Sequence, residues 1–125
     1  MNPPDISLPT DEFSKLLKFI DSIHKLRKAR EDLSLDSESE RLLEAITLAY
    51  HARKPYTVSQ AMLLHHIGST ATIHRRMTYL LSLNLINQEY LGASKRFKYL
   101  VPSHNAIAYF EKVNQLYLAS FDEQY

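Results

Sequence analysis

The sequence predicts a mainly α-helical fold with one small β-hairpin. Three observations carry that prediction. Apolar residues return at helical spacing through most of the chain, then switch to alternation between residues 85 and 101. Only two glycines occur, and one of them, Gly92, falls in the middle of the alternating stretch. At 125 residues the chain holds one domain with a real core and little room for a second.

After a proline-rich start, "MNPPDISLPT", Thr10 can cap a helix with Asp11 and Glu12 in its first turn, where the helix dipole favours anions. Phe13, Leu16, Leu17, Ile20 and Ile23 follow at helical spacing. The basic residues Lys25, Arg27, Lys28 and Arg30 gather at the C-terminal end, so a helix is expected from Asp11 to Arg30. "LDSESE" breaks this pattern. Ser37 with Glu40 has the spacing of a capping box and opens a second helix. That helix carries Leu42, Leu43, Ile46, Leu48, Ala49 and Tyr50, and Pro55 terminates it.

A short extended piece then leads to Thr57, which caps a shorter helix from Val58 to Leu64. Ser69 or Thr70 caps the next. There Ile73, Met77 and Leu80 recur at i, i+4 and i+7 as a buried stripe. Thr70, Thr72, His74, Arg75 and Arg76 fall on its flanks or its outward side. The period then changes to two. "LINQEYL" and "RFKYLV" read as strands joined by "GASK", with Phe97, Tyr99 and Val101 on one face and Arg96 and Lys98 on the other. Gly68 and Gly92 both sit where a positive φ or a close backbone approach is expected. Pro102 closes the hairpin. Ser103 caps a last helix carrying Ile107, Phe110, Val113, Leu116, Tyr117 and Phe121.

Net charge is only +1, but it is unevenly spread. Residues 57–99 hold Arg75, Arg76, Lys95, Arg96 and Lys98 against Glu89 alone, a local +4, while the flanking segments carry −1 and −2. Such a patch is the electrostatic footprint expected of a nucleic-acid-binding face. Other classes find no support. No apolar run approaches the roughly 20 residues of a membrane span, and the N-terminus lacks the pattern of a signal peptide, so a cytoplasmic protein away from the membrane is expected. There is no cysteine, and the six histidines lack metal-ligand spacing: His65 and His66 are adjacent, and the others are scattered. No nucleotide-binding or hydrolytic motif is present, so neither an enzyme nor a cofactor is expected.

Helix, short strand, helix, turn, helix, hairpin, helix is the order of a winged helix-turn-helix with additional N- and C-terminal helices. The residues point the same way. "STATIHR", "LSLNLI", "SKRFKYL" and "VPSHNA" follow one another as in the DNA-binding core of MarR-like bacterial transcriptional regulators, which residues 37–107 resemble. Asn84 stands where the family usually has glycine, and Arg76 where many relatives have an apolar residue. The division expected is an arm and dimerisation helix over 1–35, a winged helix-turn-helix over 36–102 and a second dimerisation helix over 103–125.

The resemblance implies a double-stranded DNA partner, with the helix after Gly68 in the major groove and the wing on the adjacent backbone or minor groove. Ser69, Thr70, Thr72, His74, Arg75 and Arg76 are then the candidate contacts on that helix, and Lys95, Arg96 and Lys98 those on the wing. The outer helices carry more apolar surface than such a core can cover. Phe13, Leu16, Leu17, Ile20, Ile23, Phe110, Val113, Leu116 and Tyr117 are expected to hold a homodimer across a two-fold axis. Two other readings fit the same residues. One is a winged-helix module that binds protein through "TYLLSLNL". The other is a plasmid or phage replication or partition factor. Whether a small-molecule effector exists stays open.

Overall fold

The computed structural model describes residues 11–32, 35–93 and 95–120, the side chains of residues 29, 30, 117, 119 and 120 excepted. Thr10, Ser94 and Phe121, and the side chains of Arg30 and Tyr117, therefore lie outside the described residues. Among those described, the elements follow in the order α1 (Asp11–Asp32), α2 (Ser37–His51), α3 (Val58–Ala61), α4 (Thr70–Ser82), β1 (Ile86–Tyr90), β2 (Lys98–Pro102) and α5 (His104–Ser120). The fold is mainly α with a hairpin, as expected.

Helix α2 starts one residue earlier than its serine pattern suggests. Asp36, not Ser37, is the N-cap, and its carboxylate accepts the Ser39 amide at 2.7 Å. A carboxylate at that position satisfies an orphan amide and also meets the positive end of the helix dipole. Glu40 is drawn elsewhere, accepting a 2.6 Å hydrogen bond from the Tyr109 hydroxyl of α5. The capping box lies instead at α3, where Thr57 and Gln60 each accept from the other's amide. That helix ends at Ala61 rather than Leu64, and the chain continues through tight turns to Ile67.

Two helices stop in the same way. At the end of α2 the Lys54 amide reaches the Ala49 carbonyl and the Arg53 amide that of Tyr50, with Arg53 left-handed at φ 62°. At the end of α4 the Leu85 amide reaches Leu80 and the Asn84 amide reaches Leu81, with Asn84 at φ 57°. Both patterns are Schellman motifs, which satisfy the last carbonyls of a helix. α2 thus ends at His51, four residues before Pro55.

β1 and β2 pair antiparallel, Ile86 opposite Pro102 and Tyr90 opposite Lys98. Thr57 forms an isolated bridge to Tyr99, and the Leu100 amide donates to the Tyr56 carbonyl at 2.8 Å, tying the start of α3 to the hairpin. Gly92 takes φ +75° in the connection. The hairpin does not divide into one apolar and one charged face. Leu100 and Val101 are both buried, because α2, α3 and α5 all pack on β2, whereas Phe97 lies beyond the core and is half exposed. Ser103 caps α5 through the Ala106 amide at 3.2 Å and donates to the Asn84 carbonyl at 2.6 Å, tying the two helix ends together.

The core is assembled from Leu42, Leu43 and Ile46 of α2, Ile73, Met77 and Leu80 of α4, and Ile86 and Leu100 of the hairpin. The outer helices pack differently. α1 lies along α5, with the Ser22 hydroxyl on the Leu116 carbonyl at 3.1 Å. Of the apolar residues expected in a dimer interface, Phe110 and Val113 pack against the chain's own core, and Phe13, Ile23 and Leu116 are half-buried. Leu16, Leu17 and Ile20 remain exposed, at 50%, 43% and 39%. No described helix is long and apolar enough to cross a membrane.

Candidate nucleic-acid interface

The turn between α3 and α4 is fastened to α2 before α4 begins. The Arg41 guanidinium donates to the His66 carbonyl at 2.6 Å, and Ile67 is buried. Gly68 has no positive φ. Its requirement is space: a Cβ there would lie 3.1 Å from Thr72 Cγ2 and 3.5 Å from Glu38 Oε2. The turn is therefore closed tightly against the first turn of α4, with Glu38 of α2 in ordinary contact beside it.

Ser69 is the N-cap of α4, accepting from the Thr72 amide at 3.2 Å. Its hydroxyl also donates to Thr72 Oγ1 at 3.0 Å, and Arg75 Nη2 donates to the same oxygen at 3.3 Å. Ser69, Thr72 and Arg75 thus form one connected group at the helix start. The Thr70 hydroxyl donates to the Met62 carbonyl at 3.3 Å. Hydroxyls retain acceptor capacity after such bonds, so the group can still receive or direct contacts from a ligand.

The two faces of α4 separate cleanly. Ile73, Met77 and Leu80 are buried, while Thr70, Ala71, His74, Arg75 and Thr78 are exposed. Ala71 and Thr78 belong to this outward stripe but were not among the expected contacts. Their spacing from His74 and Arg75 is the signal that identifies them. Arg76, by contrast, is not on the outward stripe. Its guanidinium pairs with Asp36 at 3.1 Å and Glu38 at 3.1 Å, so the structure separates it from its neighbour Arg75.

On the hairpin Lys95, Arg96 and Lys98 are all exposed. Arg96 lies over the Phe97 ring, 5.1 Å from its centroid, and Lys98 over Tyr90 at 5.5 Å. Each cation rests on an aromatic face, a contact that favours its charged group over the ring. The apolar segment "TYLLSLNL" does not form a free surface: Leu80 and Leu85 are buried, and Tyr79, Leu81 and Leu83 pack against the core. An open groove between the end of α2, the hairpin and the start of α5 is lined by Tyr50, Arg53, Lys54, Phe97 and Ile107 among others, with no acidic side chain among them.

No family model matches the sequence, and no curated protein matches it. Solved structures do. The transcriptional regulator Tm0710 from Thermotoga maritima superposes with a TM-score of 0.63 at 16% identity, over 91% of this chain and 78% of that one. A variant of MepR from S. aureus, bound to an oligodeoxyribonucleotide, gives 0.56 at 16% identity over 93% and 79% of the two chains. AbsC, a MarR family transcriptional regulator from Streptomyces coelicolor, gives 0.53 at 16% identity over 94% and 80%. These likenesses extend over the outer helices as well as the central elements, and the chain has a MarR-like winged-helix fold.

Proposed function

We propose that the protein is a sequence-specific transcriptional regulator that binds double-stranded DNA as a homodimer in the cytoplasm. One observation carries the reading. α4 buries one face in the core and presents to solvent a stripe of hydroxyls, His74 and Arg75. In this proposal α4 enters the major groove with Ser69, Thr70, Thr72, His74 and Arg75 foremost, and the free end of the helix supplies backbone donors for a phosphate. Lys95, Arg96 and Lys98 reach the flanking backbone or minor groove. The oligodeoxyribonucleotide bound by the similar MepR variant supports the choice of ligand.

The dimer rests on α1. Leu16, Leu17 and Ile20 leave apolar surface uncovered after α1 has packed on α5, and a second copy would cover it. A two-fold axis there sets two copies of α4 against half-sites about one DNA turn apart. The function is regulation by binding, without a chemical step.

The test is duplex binding at two salt concentrations. Wild type is expected to lose affinity steeply as salt rises, by ~0.9 log units per log unit of salt for each phosphate neutralised. Arg75→Ala, checked for folding by circular dichroism, is expected to bind about tenfold or more weakly. Salt-independent or absent binding by the wild type would refute the reading.

A further inference from the structure

Two arginines stand side by side on α4, yet the fold treats them differently. Arg75 is exposed and bonded only within its own helix start among the contacts described above. Arg76 is turned about 100° away. That rotation brings it against the N-terminus of α2, where its Nη1 meets Asp36 Oδ2 at 3.1 Å and its Nη2 meets Glu38 Oε1 at 3.1 Å. Its Nε is shut off from solvent and has no hydrogen-bond partner among the described residues. This guanidinium is set into the scaffold.

Both carboxylates have further duties. Asp36 is the N-cap of α2, so one oxygen holds the Ser39 amide while the other holds Arg76. Glu38 projects to the start of α4, its Oε2 within 3.5 Å of where a Cβ on Gly68 would sit. Glu38 therefore sets a negative charge beside the helix end to which the proposed function assigns a phosphate, and Asp36 shares Arg76 with it. Arg76 is a cation that bridges both.

We propose that Arg76 is a positioning residue for DNA binding: it seats α4 on α2 through Asp36 and Glu38 and offsets one of their two negative charges. It does not touch DNA. This inference rests on the DNA-binding reading, and two properties set it apart from a direct contact. Removing Arg76 leaves the number of neutralised phosphates unchanged, so the dependence of affinity on salt keeps its slope. The loss also depends on the carboxylates, so it disappears when they are made neutral.

The experiment measures affinity for a short duplex across a salt series for four proteins: wild type, Arg76→Met, Asp36→Asn/Glu38→Gln, and all three changes together. Asparagine still caps a helix, so the second pair of changes keeps the start of α2. Arg76→Met is expected to cost about tenfold in the native background and under threefold in the neutralised one, with the salt slope unchanged in both. Arg76→Lys, which keeps the charge but not the forked geometry, is expected to cost about threefold and provides the same comparison if the methionine variant does not fold. A slope reduced by ~0.9 on losing Arg76, or an equal loss in both backgrounds, would make Arg76 a phosphate contact and overturn the proposal. An unchanged affinity in Arg76→Met would reduce its role to stability alone and overturn it too. If wild type itself fails to bind at low salt, the DNA-binding reading falls and this inference falls with it. That failure is distinct from the others, which all require a wild type that binds.

Discussion

The centre of the molecule and its outer helices use similar side chains to different effect. Leu42, Leu43 and Leu80 are completely buried, whereas Leu16 and Leu17, no less apolar, remain about half exposed. The difference lies in the neighbours. α2 packs against both α4 and the hairpin, so its residues are enclosed from several sides. α1 lies chiefly along α5, with Leu26 reaching the core, and a helix packed mainly on one neighbour leaves part of its apolar stripe uncovered. No described side chain of α1 is buried, and those of α5 are buried only near its start, at Ala106 and Tyr109. Burial thus follows from position in the fold more than from hydrophobicity. The central elements build most of the core, to which the outer pair adds Ala106 and Tyr109 of α5, and that pair leaves a surface of its own uncovered.

The largest effect should come from opening the centre. Leu80 is fully buried, is the last member of the α4 stripe, and sits three residues before the Schellman stop at the helix end. Leu80→Ala is expected to destabilise the fold by about 3 kcal/mol, the cost of lost transfer energy plus a cavity. A urea titration measures it as a lower midpoint at unchanged slope. A cost below about 1 kcal/mol would mean that the centre collapses around the gap, and the contrast with α1 would weaken.

The outer surface should respond in the opposite sense, with little loss of fold and a large loss of association. Leu17→Glu combined with Ile20→Glu places two charges on the exposed α1 surface, where water already reaches both side chains. The expected outcome is near-native helix content with a dimer constant weakened by about 2 kcal/mol or more, since desolvating an unpaired charge in an apolar contact is unfavourable. Sedimentation across a concentration series reads the constant, and circular dichroism reads the fold. Unfolding of this variant would show instead that α1 is needed by its own chain. An unchanged dimer would move the interface elsewhere.

What the sequence made legible divides along the same line. Elements defined by local chemistry could be read: Ser69, Thr57 and Ser103 all cap the helices expected of them, and Asn84 takes the left-handed conformation that the shape of its side chain tolerates. Errors arose where a distant neighbour decided the outcome. Ser37 lost the cap to Asp36, whose second oxygen is held by Arg76, forty residues on. Phe97, Tyr99 and Val101 were expected to share one face, yet Phe97 is half exposed and Val101 buried, because alternation cannot show where the hairpin leaves the core. Arg76 looked like a companion to Arg75. Its position three residues after Ile73 and one before Met77 already placed it on the flank of the buried stripe, but nothing local showed that two carboxylates waited there. The outward stripe of α4 was readable because its buried counterpart was. The proposed dimer surface could be read only as an excess of apolar residues, and two of these, Phe110 and Val113, pack against the chain's own core.

The smallest expected effect separates the two regions most cleanly, because it strengthens one without touching the other. α2 and α4 end in the same motif, but α2 holds an arginine at the left-handed position and α4 an asparagine. An ordinary L-residue there costs about 1 kcal/mol or more, while asparagine visits this region readily. Glycine removes that cost but adds freedom to the unfolded chain, which offsets part of the gain. Arg53→Gly is therefore expected to stabilise the protein by about 0.5 kcal/mol, a rise of about 2 °C in the melting temperature. Asn84→Gly should change it by less, there being little strain to relieve. The Arg53 side chain is exposed and far in sequence from Leu16, Leu17 and Ile20, so the dimer constant should not move. A destabilised Arg53→Gly would mean that the arginine side chain supports the end of α2 by contacts that outweigh its backbone strain. A changed dimer constant would couple the centre to the outer helices and end the separation between them.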